Sequence, residues 1–174
     1  VRDAIALVRE RGIAMAEAAR QHPGSMAAIL GLADEAVEAL CQKISNVWPA
    51  NYNCPGQLVI SGETISVDEA IDEATREGAR RAIKLRVSGA FHSPLVARAA
   101  ERLKPAVERV HLAEGKAAFM STVSAKVEDA QHYRELLVEQ LTAPVKFTQA
   151  ARGLIADGVT TFVEVGPGNV LGDR

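Results

Sequence analysis

Apolar residues recur along the chain with two periods, one typical of helices and the other of strands. Between residues 3 and 20 they recur at about 100° per residue, which predicts an amphipathic helix. Arg11 lies on the flank of the apolar stripe, whereas the other charged residues lie opposite it. The predicted stripe consists of Ala4, Ile5, Val8, Gly12, Met15 and Ala19.

From residue 25 to residue 87 the pattern predicts the order strand, helix, strand, strand, helix, strand. The last strand alternates, and it would bury Ile83, Leu85 and Val87 on one face. This order of elements is typical of the ferredoxin-like split β-α-β unit. The approximate bounds of the six elements are 25–31, 33–43, 47–53, 57–62, 66–77 and 81–87.

After residue 87 helices alternate with short strands, which indicates part of an α/β sheet. Ser93 is suited to be an N-cap, and Pro94 to be the first helical position. The predicted helices are 94–110, 131–141 and 147–156, and the predicted strands are 117–122 and 159–165.

The composition narrows the class of protein. The 174 residues are 48% hydrophobic and 24% charged with a net charge of -2, which is typical of a globular domain. Neither nucleic acid nor a membrane is expected as a partner, because no basic surface and no long apolar run are evident. The two cysteines, Cys41 and Cys54, are too few for a disulfide framework and are compatible with the cytoplasm.

His92 is the candidate catalytic base. It directly precedes a predicted helix N-terminus, where the helix dipole disfavours the imidazolium and keeps the ring neutral. The small residues Gly89 and Ala90 before it would allow close approach by a substrate or by another backbone. The alternative is a loop histidine whose ring is satisfied by backbone groups, and spacing alone favours that alternative.

Arg11 is the candidate anion-binding residue, because a guanidinium beside an apolar stripe suits a carboxylate held by two hydrogen bonds. Glycine is unfavourable inside a helix, so Gly12 suggests that another part of the protein packs closely against the helix at this position. The alternative is an arginine on a solvated face. Asn51 and Asn53 lie two apart on a strand and would share a face, or they could belong to a solvated strand end.

The sequence contains no recognisable nucleophile. No residue at a suitable spacing indicates that Cys54 is an activated nucleophile. No serine has the glycine flanks of a Gly-x-Ser-x-Gly elbow. There is no metal-ligand pattern, and Gly166-Pro167-Gly168 indicates a turn rather than a phosphate loop. Because the chain begins at Val1 inside a helical pattern, we expect a fragment.

Several motifs together resemble the malonyl-CoA:acyl-carrier-protein transacylases. The resemblance covers essentially the whole chain, in order and with similar spacing. It rests on Arg11-Gly12 together with SMAAILGL (25–32), NYNCPGQLVISG (51–62), SGAFHSPL (88–95), APVKFTQA (143–150) and ADGVTTFVEVGPGNVL (156–171).

The resemblance implies a partial α/β-hydrolase-like acyltransferase core with an inserted ferredoxin-like subdomain. Residues 25–87 would form the ferredoxin-like subdomain, and residues 1–24 and 88–174 would belong to the large α/β subdomain. It also implies a ping-pong reaction, in which a serine takes malonyl from CoA and the phosphopantetheine thiol of acyl carrier protein then takes it from the serine. The serine elbow and the oxyanion segment would lie upstream of Val1, so the chain as given is expected to be inactive.

The family's site residues map onto this sequence by motif. The resemblance implies that His92 activates the serine and that Arg11 pairs with the free malonyl carboxylate. A backbone carbonyl would orient the histidine, and the matching position is Lys146. Phe91 would favour malonyl over methylmalonyl, because a bulky ring leaves little space for an α-methyl group.

Asn51 and Asn53 match pocket-wall asparagines of the family. The resemblance further implies a cytoplasmic monomer of fatty-acid biosynthesis that uses malonyl-CoA as substrate and requires no cofactor or metal. Three alternatives remain open at this point: an acyltransferase of polyketide synthesis, a non-catalytic ferredoxin-like binding module, and a hydrolase that uses water as acceptor.

Overall fold

The computed structural model describes residues 2–166 and has an α/β fold of helices and antiparallel sheet. The predicted Gly-Pro-Gly turn extends past Gly166, so its last two residues lie outside the described part. The helices are α1 (Arg2–Gln21), α2 (Asp34–Lys43), α3 (Thr64–Arg76), α4 (Ala97–Arg109), α5 (Tyr133–Glu139) and α6 (Phe147–Ala156). The strands are β1 (Ser25–Leu30), β2 (Val47–Cys54), β3 (Gln57–Gly62), β4 (Arg81–Lys84), β5 (Phe119–Met120) and β6 (Val127–Glu128).

Strands β1 to β4 form one antiparallel sheet in the order β2-β3-β1-β4, and β5 pairs with β6 in a separate two-stranded sheet. The central strand β1 is apolar at every position except Ser25, as a strand covered on both faces should be. Ala27 and Ile29 pack toward α2 and α3, whereas Met26 and Ala28 pack on the opposite face. The predicted order of elements between residues 25 and 84 is therefore confirmed.

A second apolar core joins α1, α4 and the end of α5. It contains Ala14 and Ala18 of α1, Leu103 and Val107 of α4, and Leu141 just after α5. The two alanines of α1 are almost completely buried in this core. This core holds α1 against the start of α4, where His92 lies nearby in sequence.

The face that α1 buries differs in part from the predicted stripe. Ile5 and Val8 are 66% and 67% exposed, whereas Leu7, Ala14 and Ala18 contact the second core. Met15 and Ala19, at the end of the stripe, do pack inward. The helix carries apolar residues on two sides, and contact with α4 selects between them, which periodicity alone could not do.

The glycines of this region have roles other than those predicted. Gly12 is exposed, and a Cβ built on it would meet nothing within 4 Å, so the predicted close packing at Gly12 is wrong. Close packing occurs instead at Gly89, where a Cβ would lie 2.6 Å from the Cβ of Ala19. The approach that Gly89 allows is thus made by α1 and not by a substrate.

Two predicted strands are shorter than expected. Strand β4 ends at Lys84, and Ile83 and Val87 are 39% and 40% exposed, although Leu85 packs on the sheet as predicted. The reason is that β4 lies at the sheet edge and pairs only with the last residues of β1. The strand predicted at 117–122 reduces to the two residues of β5.

The strand predicted at 159–165 is not found. Phe162, Val163 and Val165 are 55%, 78% and 92% exposed, and within residues 2–166 no neighbouring strand pairs with this segment. A strand forms only where a neighbour accepts its hydrogen bonds, so a suitable sequence is not sufficient. None of the helices in the described residues is long and apolar enough to cross a membrane.

The predicted helix at 94–110 begins as a 3-10 turn, Pro94–Val96, before α4. Pro94 takes the predicted first position, but the hydroxyl of Ser93 does not cap the helix. It donates instead to the carbonyl oxygen of Ala90 at 2.6 Å, and Ser93 is fully buried. This bond closes the turn that contains His92.

Candidate active site

The ring of His92 is held by two backbone carbonyls. Its Nδ1 lies 2.9 Å from the carbonyl oxygen of Gln140 and 3.2 Å from that of Ala143. Because carbonyl oxygens can only accept, Nδ1 must carry the proton. Nε2 of the neutral ring then has a free lone pair, which is the form that a general base requires.

The backbone of His92 is strained and held in place. Its φ is +57°, in the left-handed region that non-glycine residues rarely adopt. The N–H of His92 donates to the carbonyl oxygen of Leu141 at 3.2 Å, so backbone and ring are both tied to the turn after α5. Such strain persists where the surroundings dictate it and is concentrated at functional sites.

The surroundings favour the neutral form of His92. Burial lowers the pKa of the imidazole below its ordinary value of 6.5, and the positive charge of Arg11 lowers it further, while the two carbonyl bonds act in the opposite direction. The sequence attributed neutrality to a helix dipole, whereas the structure adds burial and a nearby cation. We therefore expect the ring to be neutral at pH 7.

Arg11 is half-buried, and its Nη2 donates to Oε1 of Gln140 at 2.9 Å. Burial lowers the pKa of the guanidinium from its ordinary value of 12.5, but an arginine remains charged in proteins. Among residues 2–166 no carboxylate forms an ion pair with it. A partly desolvated cation with a neutral partner is suited to receive an anionic group from a ligand.

Phe91 packs between two cores. Its half-buried ring contacts two clusters: the core between α1 and α4, and the apolar cluster around Met26 and Ala28 on the sheet face opposite α2 and α3. The ring therefore connects the sheet to the helices beside His92. Its predicted role in excluding an α-methyl group stays a prediction.

The two asparagines are placed differently in β2. Asn51 pairs with Val59, whose side chain lies in the sheet cluster that Phe91 contacts, and it also bridges to Val145. Asn53 lies where the register breaks between Tyr52 and Cys54. Simple alternation does not apply across such a bulge, so the expected shared face of the two asparagines does not follow from the strand.

The carbonyl predicted to orient His92 is the wrong one. The carbonyl oxygen of Lys146 accepts from the N–H of Ala150 at 3.0 Å, because Lys146 is the N-cap residue that directly precedes α6. The N–H of Lys146 donates to the carbonyl oxygen of Thr122 at 2.7 Å. The orienting carbonyls belong to Gln140 and Ala143, a few residues earlier in the same connection.

Comparison with known proteins identifies the family. A family model described as the acyl transferase domain matches residues 1–173. This chain belongs to that family. It is 45% identical over 175 residues to the malonyl CoA-acyl carrier protein transacylase of Bacillus subtilis strain 168, covering 98% of this chain and 55% of that protein.

Solved structures of acyltransferases share the fold of this chain. The malonyl CoA-acyl carrier protein transacylase of Coxiella burnetii superposes with a TM-score of 0.94 at 34% identity, covering 98% of this chain and 55% of that one. A malonyl-transacylase in complex with a type II PKS acyl-carrier protein superposes with a TM-score of 0.93 at 36% identity, covering 98% and 56%. This chain thus spans about half the length of the relatives it matches.

Gln140 is the site residue that the sequence did not indicate. It lies 129 positions from Arg11 and 48 from His92, so no local spacing could connect them. An apolar cavity of about 540 Å³ reaches Gln140 from the side of Phe119 and Tyr133. No cluster of potential metal ligands occurs within residues 2–166.

Proposed function

We propose that this chain supplies the general base and the carboxylate-binding residue of an acyl-carrier-protein S-malonyltransferase in fatty-acid biosynthesis. The observation that supports this most directly is that a neutral base, His92, and a cation, Arg11, meet at one residue, Gln140, and that no carboxylate within residues 2–166 pairs with Arg11. The serine nucleophile would lie outside these 174 residues. Malonyl-CoA is the proposed substrate and acyl carrier protein the proposed acceptor, with no cofactor or metal.

In the proposed mechanism, Nε2 of His92 takes the proton from the serine hydroxyl as its oxygen attacks the malonyl thioester. The thioester C–S bond then breaks, and the CoA thiolate leaves with the proton from His92. In the second half-reaction His92 takes the proton from the phosphopantetheine thiol, whose sulfur attacks the carbonyl of the malonyl-serine ester. The ester C–O bond then breaks, and the serine oxygen leaves with the proton from His92, which regenerates the free serine and the neutral base. The guanidinium of Arg11 holds the distal carboxylate throughout, so the acyl carbon meets the serine in one orientation.

We further propose that residues 25–87 form a ferredoxin-like subdomain inserted into a large α/β-hydrolase-like subdomain that includes residues 1–24 and 88–174. The element order and the strand order β2-β3-β1-β4 support the first part of this proposal. The monomeric state, the cytoplasmic location, and the pocket roles of Phe91, Asn51 and Asn53 stay predictions.

A carrier protein of polyketide synthesis is a second candidate acceptor. The observation that favours it is the similarity to the malonyl-transacylase solved with a type II PKS acyl-carrier protein. Transfer rates to purified fatty-acid and polyketide carrier proteins, measured with the same malonyl donor, would distinguish the two acceptors.

The test of the carboxylate role is Arg11→Ala in the intact enzyme. Loss of a charge-assisted hydrogen-bonded contact costs about 1.5–3 kcal/mol, so malonyl transfer should fall by about 10- to 100-fold. Acetyl transfer should fall far less, because acetyl has no carboxylate to bind. The readout is transfer of radiolabelled acyl groups from CoA to acyl carrier protein.

Arg98→Ala is the matched control, because Arg98 is exposed and also bonds a glutamine, Gln21, at 3.0 Å. It should leave both transfers unchanged. An equal loss of malonyl and acetyl transfer in Arg11→Ala would contradict the carboxylate role.

A further inference from the structure

The two ends of Gln140 contact the two candidate functional groups. Its side-chain Oε1 accepts from Nη2 of Arg11 at 2.9 Å, and its main-chain oxygen lies 2.9 Å from the protonated Nδ1 of His92. A single residue therefore spans the distance between the cation and the base. The amide at the end of the Gln140 side chain is fixed by its bonds to Arg11 and to the carbonyl oxygen of Leu137.

The orientation of the Gln140 amide is determined by its partners. Nε2 of the amide donates to the carbonyl oxygen of Leu137 at 3.1 Å, while Oε1 accepts from Arg11. The reversed amide would place NH₂ against the guanidinium and oxygen against the carbonyl, two repulsive contacts in place of two hydrogen bonds. The amide oxygen is consequently the atom presented to Arg11.

A neutral acceptor matters at this position. The amide bonds one edge of the guanidinium and leaves the positive charge uncompensated, so an incoming carboxylate gains the full ionic interaction. A carboxylate at position 140 would neutralise Arg11 and compete with the acyl group. The neighbouring acid, Glu139, is exposed, in contrast to the half-buried Gln140.

We propose that Gln140 is a positioning residue that holds the Arg11 guanidinium at a set distance from the His92 ring and selects for acyl groups that carry a carboxylate. This inference rests on the proposed function of Arg11 and His92. Gln140 acts through Arg11 by its side chain. Substitution of the side chain affects the Arg11 contact first, because the carbonyl is retained in every variant.

The test compares Gln140→Glu and Gln140→Leu in the intact enzyme with malonyl and acetyl donors. Glu has nearly the shape of Gln and can still bond Arg11, so a purely structural role predicts that it behaves like the wild type and that Leu is worse. The positioning role predicts the opposite order for malonyl. We expect kcat/KM for malonyl to fall about 100-fold in Gln140→Glu and about 10-fold in Gln140→Leu, mainly through KM.

Stability should follow the reverse order, because Gln140→Glu keeps the bond to Arg11 and loses only the bond to the Leu137 carbonyl, whereas Gln140→Leu loses both. Gln140→Glu should therefore be more stable to urea than Gln140→Leu. Gln21→Leu, which removes the amide from the exposed Arg98–Gln21 pair, is the matched control and should leave malonyl transfer unchanged. Wild-type malonyl transfer in Gln140→Glu, or equal losses of malonyl and acetyl transfer in both variants, would overturn the positioning role.

Arg11→Ala in the same series separates this inference from the proposed function. If Arg11→Ala lowers both transfers equally, the carboxylate role of Arg11 itself fails. If Arg11→Ala is selective for malonyl while Gln140→Glu resembles the wild type, only the role of Gln140 fails.

Discussion

The close contact between Gly89 and α1 leads to a quantitative prediction for Gly89→Ala. The added Cβ would lie 2.6 Å from the Cβ of Ala19 and 3.3 Å from its Cα. Carbon atoms pack at about 3.5–4.0 Å, so α1 and the Gly89 loop must separate by about 1 Å. Neither partner is a flexible side chain that could rotate away.

Overpacking of this kind costs about 1–3 kcal/mol. We therefore expect Gly89→Ala to lower the free energy of unfolding by that amount, measured by urea denaturation followed by circular dichroism. Ala19→Gly removes the opposing methyl, and its own cost is about 1–2 kcal/mol from lost helix propensity and lost burial. In the double variant the 2.6 Å contact is removed and the 3.3 Å contact with the Cα of residue 19 remains, so the two changes should cost at least 1 kcal/mol less than the sum of the single variants.

The same displacement should reach the candidate site, because α1 carries Arg11 and the Gly89 loop leads directly to His92. Misplacement by about 1 Å can lower catalysis by about 100-fold. In the intact enzyme that we propose, Gly89→Ala should therefore lower malonyl transfer, and Ala19→Gly should restore part of it. Two results would refute the contact as described: additive stability changes in the double variant, or an unchanged free energy of unfolding in Gly89→Ala.

Two further predictions concern single residues. Gly12→Ala should stabilise the chain by about 0.5–1 kcal/mol in the same urea assay, because Gly12 is inside a helix and its Cβ position is open; a destabilised variant would indicate hidden packing. The His92 imidazole should titrate below 6.5 by NMR, since burial and Arg11 lower its pKa. Between the folded pKa and 6.5 the unfolded ring binds a proton that the folded ring does not bind. This residue's contribution to stability is therefore present above pH 6.5 and is lost as the pH falls through the folded pKa. His92→Asn should remove that contribution, and a midpoint at or above 6.5 in the wild type would contradict the described surroundings.

Local sequence patterns predicted most of the elements because helix and strand periods are properties of short segments. The bounds of β3 and α6 agree with the predicted 57–62 and 147–156. Patterns failed where the result depends on a neighbour in space. The segment 159–165 has the composition of a strand, but no strand within residues 2–166 forms a sheet with it, and the buried face of α1 is selected by α4.

The candidate site also has one part that the sequence predicted and one part that only the folded chain determines. The sequence singled out His92 and Arg11 individually, since residue type and local context suggest a base and an anion-binding group. It could not identify the carbonyls that orient His92, because every residue has a carbonyl and only the folded chain determines which one lies within reach. The choice of Lys146 was wrong for this reason: its carbonyl is used by the first turn of α6.

The sequence by itself thus determined the order of helices and strands between residues 25 and 84, the absence of a Gly-x-Ser-x-Gly elbow in these 174 residues, and the two chemically suited side chains. The tertiary structure alone decided that those side chains meet at Gln140, that Nδ1 of His92 carries the proton, and that Arg11 keeps a neutral partner. The physical reason is the distance along the chain over which each kind of interaction acts. Periodicity and turn chemistry act over a few residues, whereas the Arg11–Gln140 bond joins positions 129 residues apart and exists only after α1 has packed against α4.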